Sequence, residues 1–150
     1  MKLTNITREN WLEIVILTTN QDGKATISEE FVASNAVSIV QSVFEEGWII
    51  KGIQVDDALV GFTMYGFPTE HNHYDICRFM IDRNYQGKGY GRQALQLIIN
   101  ELKTNDDCQN IYLSTEPDNE RAIKLYESFG FQQTGKVIEG EMEYCLSYEK

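Results

Sequence analysis

Three glycines at alternate positions, Gly87, Gly89 and Gly91, separate a strand-like run, Asp75 to Ile81, from a run with Leu95, Ile98, Ile99 and Leu102 at helical spacing. A strand, a glycine turn and a helix N-terminus together bind anions. The glycines let backbone N–H groups converge without Cβ clashes, and the helix dipole adds positive potential. Between residues 78 and 92, Arg78, Arg83, Lys88 and Arg92 stand against one acid, Asp82. That is a local balance of +3 in a chain whose total is −10, so the remaining residues carry −13. A basic island in an acidic chain points to a phosphate-bearing ligand. The Walker pattern is absent, and the G-x-G-x-G spacing is not the dinucleotide fingerprint.

The stretch resembles the acyl-CoA-binding motif of the GNAT superfamily of N-acetyltransferases, Q/R-x-x-G-x-G/A, met here by Gln86, Gly89 and Gly91. A second run, N-x-x-A-x-x-L-Y-x-x-x-G-F, is present as Asn119, Ala122, Leu125, Tyr126, Gly130 and Phe131 and resembles the same superfamily. The two occur in family order, and the resemblance covers about residues 58 to 135. Within the superfamily, RFMIDRNYQGKGYG and LSTEPDNERAIKLYESFGF look most like bacterial spermine/spermidine acetyltransferases.

The resemblance implies acetyl transfer from acetyl-CoA to an amine, without a metal. It implies that the strand at Phe79, Met80 and Ile81 bulges and lends backbone groups to the pantetheine arm and thioester carbonyl. Backbone N–H groups of Gln86, Gly87, Lys88, Gly89, Tyr90, Gly91 and Arg92 would hold the pyrophosphate. Asn119 would contact the cofactor arm, and Tyr126 would donate to the departing sulfur. A phenol near pKa ~10 is a weaker acid than a thiol near ~8.5, so full proton transfer runs uphill by roughly 2 kcal/mol. Tyr126 is better described as a hydrogen-bond donor or relay.

A primary amine near pKa ~10.4 must lose a proton before it attacks, at a cost of roughly 5 kcal/mol at pH 7. Related polyamine enzymes place an acid near the position of Cys77. Asp75, two residues earlier and on the same face, is the first candidate base, and Glu116 the second. Blander readings stand beside these. Tyr126 also fits a core aromatic, Asn119 also fits an N-cap, and His71 and His73 read as polar loop residues. Glu29, Glu30, Glu45 and Glu46 read as solvated helix faces or as an acidic substrate wall.

The surplus of acids, 23 against 13 basic residues, argues against nucleic acid and anionic membrane as partners and favours a cationic small molecule. A polyamine is the leading acceptor; a protein amine, an aminoglycoside or an amino acid are alternatives, as is a catalytically silent acyl-CoA-binding module. A homodimer stays open. No apolar run approaches the ~20 residues of a membrane span, no signal-peptide core precedes the first element, and Cys77, Cys108 and Cys145 show no metal spacing. A cytoplasmic, single-domain chain spanning 1–150 is expected.

The elements that must position these residues follow in order. A strand is predicted at Leu3–Ile6, a helix from Thr7 to about Thr19, and a second helix from a Ser28 cap through Glu46. Its stripe comprises Val32, Ala36, Ile39, Val40 and Val43, and Gly47 ends it. Ile49–Val55 and Ala58–Gly66 form a hairpin about Asp56-Asp57. Asn110–Ser114 is a strand parallel to Asp75–Ile81 through a right-handed crossover, followed by a helix from Asn119. Two closing strands, Phe131–Thr134 and Glu143–Ser147, flank a Val137–Gly140 loop. The fold class is α/β (α+β), a GNAT-like mixed twisted sheet with helices on both faces.

Overall fold

Short polar turns return the apolar runs of the first half on one another, so they pair as an antiparallel ladder. β1 (Lys2–Asn5), β2 (Trp48–Val55), β3 (Ala58–Gly66) and β4 (Tyr74–Ile81) lie side by side. The β2–β3 turn falls at Asp56-Asp57 as predicted, with Val55 opposite Ala58. This computed structural model describes residues 1–29 and 34–148. Among them, β5 (Asn110–Thr115), β6 (Gln132–Ile138) and β7 (Glu141–Ser147) complete one seven-stranded sheet of order β1-β2-β3-β4-β5-β7-β6. β4 and β5 run parallel, and α3 (Tyr90–Leu102) crosses between them. The mixed sheet carries helices on both faces, as expected.

Each face has its own core. On one side Leu95, Ile98, Ile99 and Leu102 of α3 pack with Ile111, Leu113, Tyr144 and Leu146 of the sheet, and with Tyr126 of α4 (Glu120–Glu127). On the other, Ile14 of α1 (Trp11–Ile16) packs with Trp48, Phe62, Met64 and Met80. Burial of such side chains, at roughly 25 cal/mol per Å² of apolar surface, holds both helix layers to the sheet.

Both N-terminal helices are shorter than their patterns predict. α1 begins at Trp11 because Thr7 folds into a turn, its N–H donating to Asn10 Oδ1 at 2.7 Å. It ends at Ile16 because the Thr18 backbone is held elsewhere: its N–H donates to Asp82 Oδ2 at 3.0 Å, and its carbonyl accepts from Arg83 N–H at 2.8 Å. Tertiary hydrogen bonds override the helical periodicity here. α2 (Asn35–Phe44) is capped by Ser34, whose Oγ accepts from Val37 N–H, rather than by Ser28. Glu30 and Val32 lie outside the described residues.

Of the predicted apolar stripe of α2, Ile39 packs against the core beside Ile14, while Ala36, Val40 and Val43 face away from it. Asn35 and Ser38 are buried, while Val37, Val40, Val43 and Phe44 are exposed. Burying the polar side costs little because its groups are satisfied: Asn35 Nδ2 donates to Ile14 O at 2.9 Å, and Ser38 Oγ to Ser34 O at 2.9 Å. The last hairpin also differs. β6 extends through Val137 and Ile138, and the turn contracts to Glu139-Gly140, both at positive φ, the geometry of a tight two-residue hairpin.

Candidate active site

β4 and β5 begin side by side and then part. Their parallel ladder is limited to Tyr74 opposite Ile111 and Asp75 opposite Tyr112. Just beyond, β4 carries a bulge at Cys77, since Met64 pairs Arg78 while Tyr65 pairs Ile76. The bulge expected at Phe79–Ile81 is therefore displaced. Those three residues pair regularly with Thr63, Phe62 and Gly61, and the extra residue lies two positions earlier. The parting strands open a cleft of about 1710 Å³, larger than a typical small-molecule pocket and able to take two ligands.

One end of the cleft is built for an anion. Phe79, Met80 and Ile81 line it, followed by Gln86, Gly87, Gly89, Tyr90, Gly91 and Arg92. Gly87 and Gly89 both hold φ 78°, and a Cβ on either would meet nothing within 4 Å. Open space therefore lies over a backbone that only glycine adopts readily. Gly89 is the N-cap of α3 and offers no side-chain cap, so first-turn N–H groups of that helix remain for a ligand. Gly91 is already helical, and its Cβ position is 3.7 Å from Leu125. Gln86 ties this loop to the strand, with Nε2 donating to Ile81 O at 3.0 Å.

The basic residues divide their duties. Arg92 lines the cleft while its guanidinium donates to Ser128 Oγ at 2.6 Å and lies 5.2 Å from the Phe129 ring. Lys88, expected at the phosphates, instead lies 5.2 Å over the Tyr85 ring. Arg83 donates to Asn20 O at 2.8 Å and fastens the α1–α2 loop. A cation not foreseen is Arg121, which lines the cleft from the start of α4 and donates to Gln86 Oε1 at 3.3 Å.

Asn119 and Tyr126 also line the cleft. Asn119 caps α4, its Oδ1 accepting from Ala122 N–H at 3.2 Å, and its Nδ2 reaches Thr26 O at 3.4 Å. Both blander expectations for it and for Tyr126 thus hold in part, since Tyr126 is 8% exposed and packs 6.0 Å from Phe131. Burial first, and the Glu141 charge second, raise the Tyr126 phenol well above its ordinary range.

The opposite end is mainly acidic, with Arg78 as a cation within it: the guanidinium donates to Cys77 O at 2.8 Å and acts on Glu45. Asp75 pairs Tyr112, and Ser114 pairs Glu143, so these side chains share one face of the sheet. Asp75 accepts from His71 Nδ1 at 2.9 Å, and burial raises its carboxyl against the lowering effect of that imidazole. Glu143, 5% exposed, accepts from Thr134 Oγ1 at 2.8 Å and adds negative charge felt at Asp75. Glu141 lines the same wall and is bonded to the Ser114 hydroxyl. Cys77 is a packed thiol, pushed up to about 11 chiefly by burial, which disfavours a thiolate role. Glu116 lines the rim and is exposed. Glu29 is outside the lining of the cleft, its oxygens accepting from Thr18 Oγ1 at 2.5 Å and from the Thr19 N–H and hydroxyl.

A model of the acetyltransferase (GNAT) family matches residues 14–131. The chain belongs to the GNAT family of N-acetyltransferases. The spermine/spermidine N(1)-acetyltransferase of Bacillus subtilis (strain 168) is 34% identical to it, over 84% of this chain and 92% of the relative. The PaiA N-acetyltransferase of Thermoplasma acidophilum, solved with coenzyme A, superposes with TM-score 0.71 at 17% identity, covering 98% of each chain. The Vibrio cholerae spermidine N-acetyltransferase, solved with CoA and spermine, superposes with TM-score 0.68 at 17% identity, covering 96% of this chain and 92% of that one. These structural likenesses establish the GNAT fold.

In this GNAT enzyme, sequence reasoning missed Arg121, Glu141 and Glu143. The signal for the two acids was their alternation along β7, which puts both on one face. Arg121 had none, because its relation to Gln86 depends on how α4 docks.

Proposed function

We propose that this acetyltransferase moves an acetyl group from acetyl-CoA to a primary amine of a linear polyamine, spermidine or spermine, with both bound in one cleft. The observation that carries the reading is the polarity of that cleft. An uncapped helix N-terminus with Arg92 and Arg121 lies at one end, and Asp75, Glu141 and Glu143 share the wall at the other. The 34% identity to a spermine/spermidine N(1)-acetyltransferase supports the choice of acceptor.

The open, positive-φ backbone at Gly87 and Gly89 fits a pyrophosphate, and the residues that would hold it are Gln86 to Arg92 with Arg121. Bound acetyl-CoA supplies an acetyl group activated as a thioester. Backbone groups of Phe79 to Ile81 line the cleft where the reacting carbonyl would sit, and an N–H directed there stabilises developing negative charge. Tyr126 stays protonated and donates a hydrogen bond toward the leaving sulfur. Asp75, held by His71, is the first candidate to accept the amine's proton, and Glu116 at the rim the second. The C–N bond forms as the C–S bond breaks; the protonated amine loses two protons in all, one through the base to solvent and one that ends on the thiol.

The test follows thiol release from acetyl-CoA across spermine, spermidine, a monoamine of similar length, a lysine peptide and an aminoglycoside. Polyamines should give the highest kcat/KM. Equal turnover of the monoamine or peptide would remove the polyamine assignment, and no release with any amine would leave a silent acyl-CoA-binding protein.

A further inference from the structure

The turn between β3 and β4 brings two imidazoles to one carboxylate. His71 Nδ1 is 2.9 Å and His73 Nε2 3.9 Å from the same Asp75 oxygen. One donor atom from each of the three residues lies within 4.8 Å of the other two. We infer that His71, His73 and Asp75 form a binding site for a divalent transition-metal ion of the zinc type.

Donor chemistry selects the ion. Two imidazole nitrogens and one carboxylate oxygen suit borderline dications, whereas magnesium and calcium call for oxygen throughout. A four-coordinate ion with bonds of about 2.0–2.2 Å needs its donors roughly 3.3–3.6 Å apart. The separations of 2.9 and 3.9 Å from the Asp75 oxygen bracket that value, and every donor pair lies within 4.8 Å, so the set is near coordination geometry. Neighbouring rings limit how far the imidazoles can wander. His73 rests 4.5 Å from the Tyr112 ring, and His71 meets the Trp48 ring edge-on at 5.4 Å. Glu143 and Glu45 add negative potential, acting on Asp75 and coupled to His71 respectively, offset in part by Lys136, 3.8 Å from Glu143, and by Arg78, which acts on Glu45. Side-chain exposures of 41% for His71 and 35% for His73 leave an approach from solvent. All three residues line the cleft, so a fourth coordination position would open into it.

Metal binding stands independently of the reaction. Its consequence for activity rests on the proposed function: an ion here engages Asp75 and places positive charge on the wall that receives a polycation. Zinc is then an inhibitor that competes with the polyamine.

Calorimetric titration of the chelator-treated protein with Zn²⁺, and the visible spectrum of the Co²⁺ form, test the site directly. Wild type should bind one ion per chain at micromolar metal, with the bands of low-coordinate Co²⁺. His73→Ala and His71→Ala should each weaken binding by more than about tenfold. Absence of binding in the folded wild type, or affinity unchanged in both variants, would overturn the site. Zinc inhibition is read by mass spectrometry of the acetylated amine, because released coenzyme A thiol itself captures zinc. Each protein is compared with its own chelator-treated activity, and His73→Ala should lose zinc sensitivity. Zinc bound at the three residues without effect on spermidine KM would overturn the inhibition and leave the site. A protein that binds zinc there but acetylates no amine would refute the proposed reaction instead.

Discussion

Tyr126 shows how one side chain serves both core and cleft. Its ring belongs to the α3–sheet cluster while the residue also lines the cleft. Tyr126→Phe keeps the ring and deletes one hydrogen-bond donor. Because about 1.4 kcal/mol equals a factor of ten in rate, kcat should fall about tenfold or more while acetyl-CoA affinity holds. Full turnover in the variant would return Tyr126 to the core alone. Its raised ionisation has a sign that can be checked. An acid whose folded pKa is raised keeps its proton to higher pH, so donor capacity persists past the ordinary phenol range near ~10. Wild-type kcat should therefore show no loss below about pH 10 that Tyr126→Phe abolishes. Such a loss would mean that the phenol ionises earlier than its burial allows.

Among elements, the turn from β4 into α3 is the proposed acyl-CoA end of the cleft. Gly89→Val forces a β-branched residue to φ 78° and fills the open space above the loop. Stability should fall by about 1–3 kcal/mol, and acetyl-CoA affinity about tenfold to a hundredfold. Gly89→Asn separates the two effects, because asparagine tolerates that conformation, so stability should largely recover while binding stays weakened. Calorimetry and thermal unfolding on the same samples measure both. Affinity unchanged in a folded Gly89→Val protein would take the loop out of the site. This element was legible in the sequence because its signals are local: glycines, strand pattern and helical stripe adjoin within one stretch. The same holds for α4, whose Asn119 cap and Gly130 stop appear as read. What was not legible depends on distant partners. Asp82 holds Thr18 and so shortens α1, and satisfied polar groups let α2 bury Asn35 and Ser38 rather than its valines. The bulge at Cys77 likewise appears only when β4 is set against β3.

Over the whole molecule, charge is sorted rather than spread. The basic residues of the β4–α3 stretch sit in a chain of net charge −10, and the acids of β4 and β7 meet on one wall although some seventy positions separate them in sequence. No sequence window could bring Asp75, His71, Glu141 and Glu143 together, since sheet order does so. A polycation is attracted to that wall, and salt screens the attraction over about 10 Å at 0.1 M. The KM for spermidine should therefore rise with ionic strength while that for a monoamine rises less, and initial rates at graded salt measure both. Equal salt responses would detach the acidic wall from acceptor binding. The central claim, that this cleft joins an acetyl group to a polyamine, is tested most directly by identifying the product. Spermidine incubated with the protein and acetyl-CoA should yield spermidine carrying one acetyl group on a primary nitrogen, with one coenzyme A released for each, as mass spectrometry and NMR would show. Coenzyme A release without acetylated spermidine, or spermidine left untouched while another amine is acetylated, would contradict it.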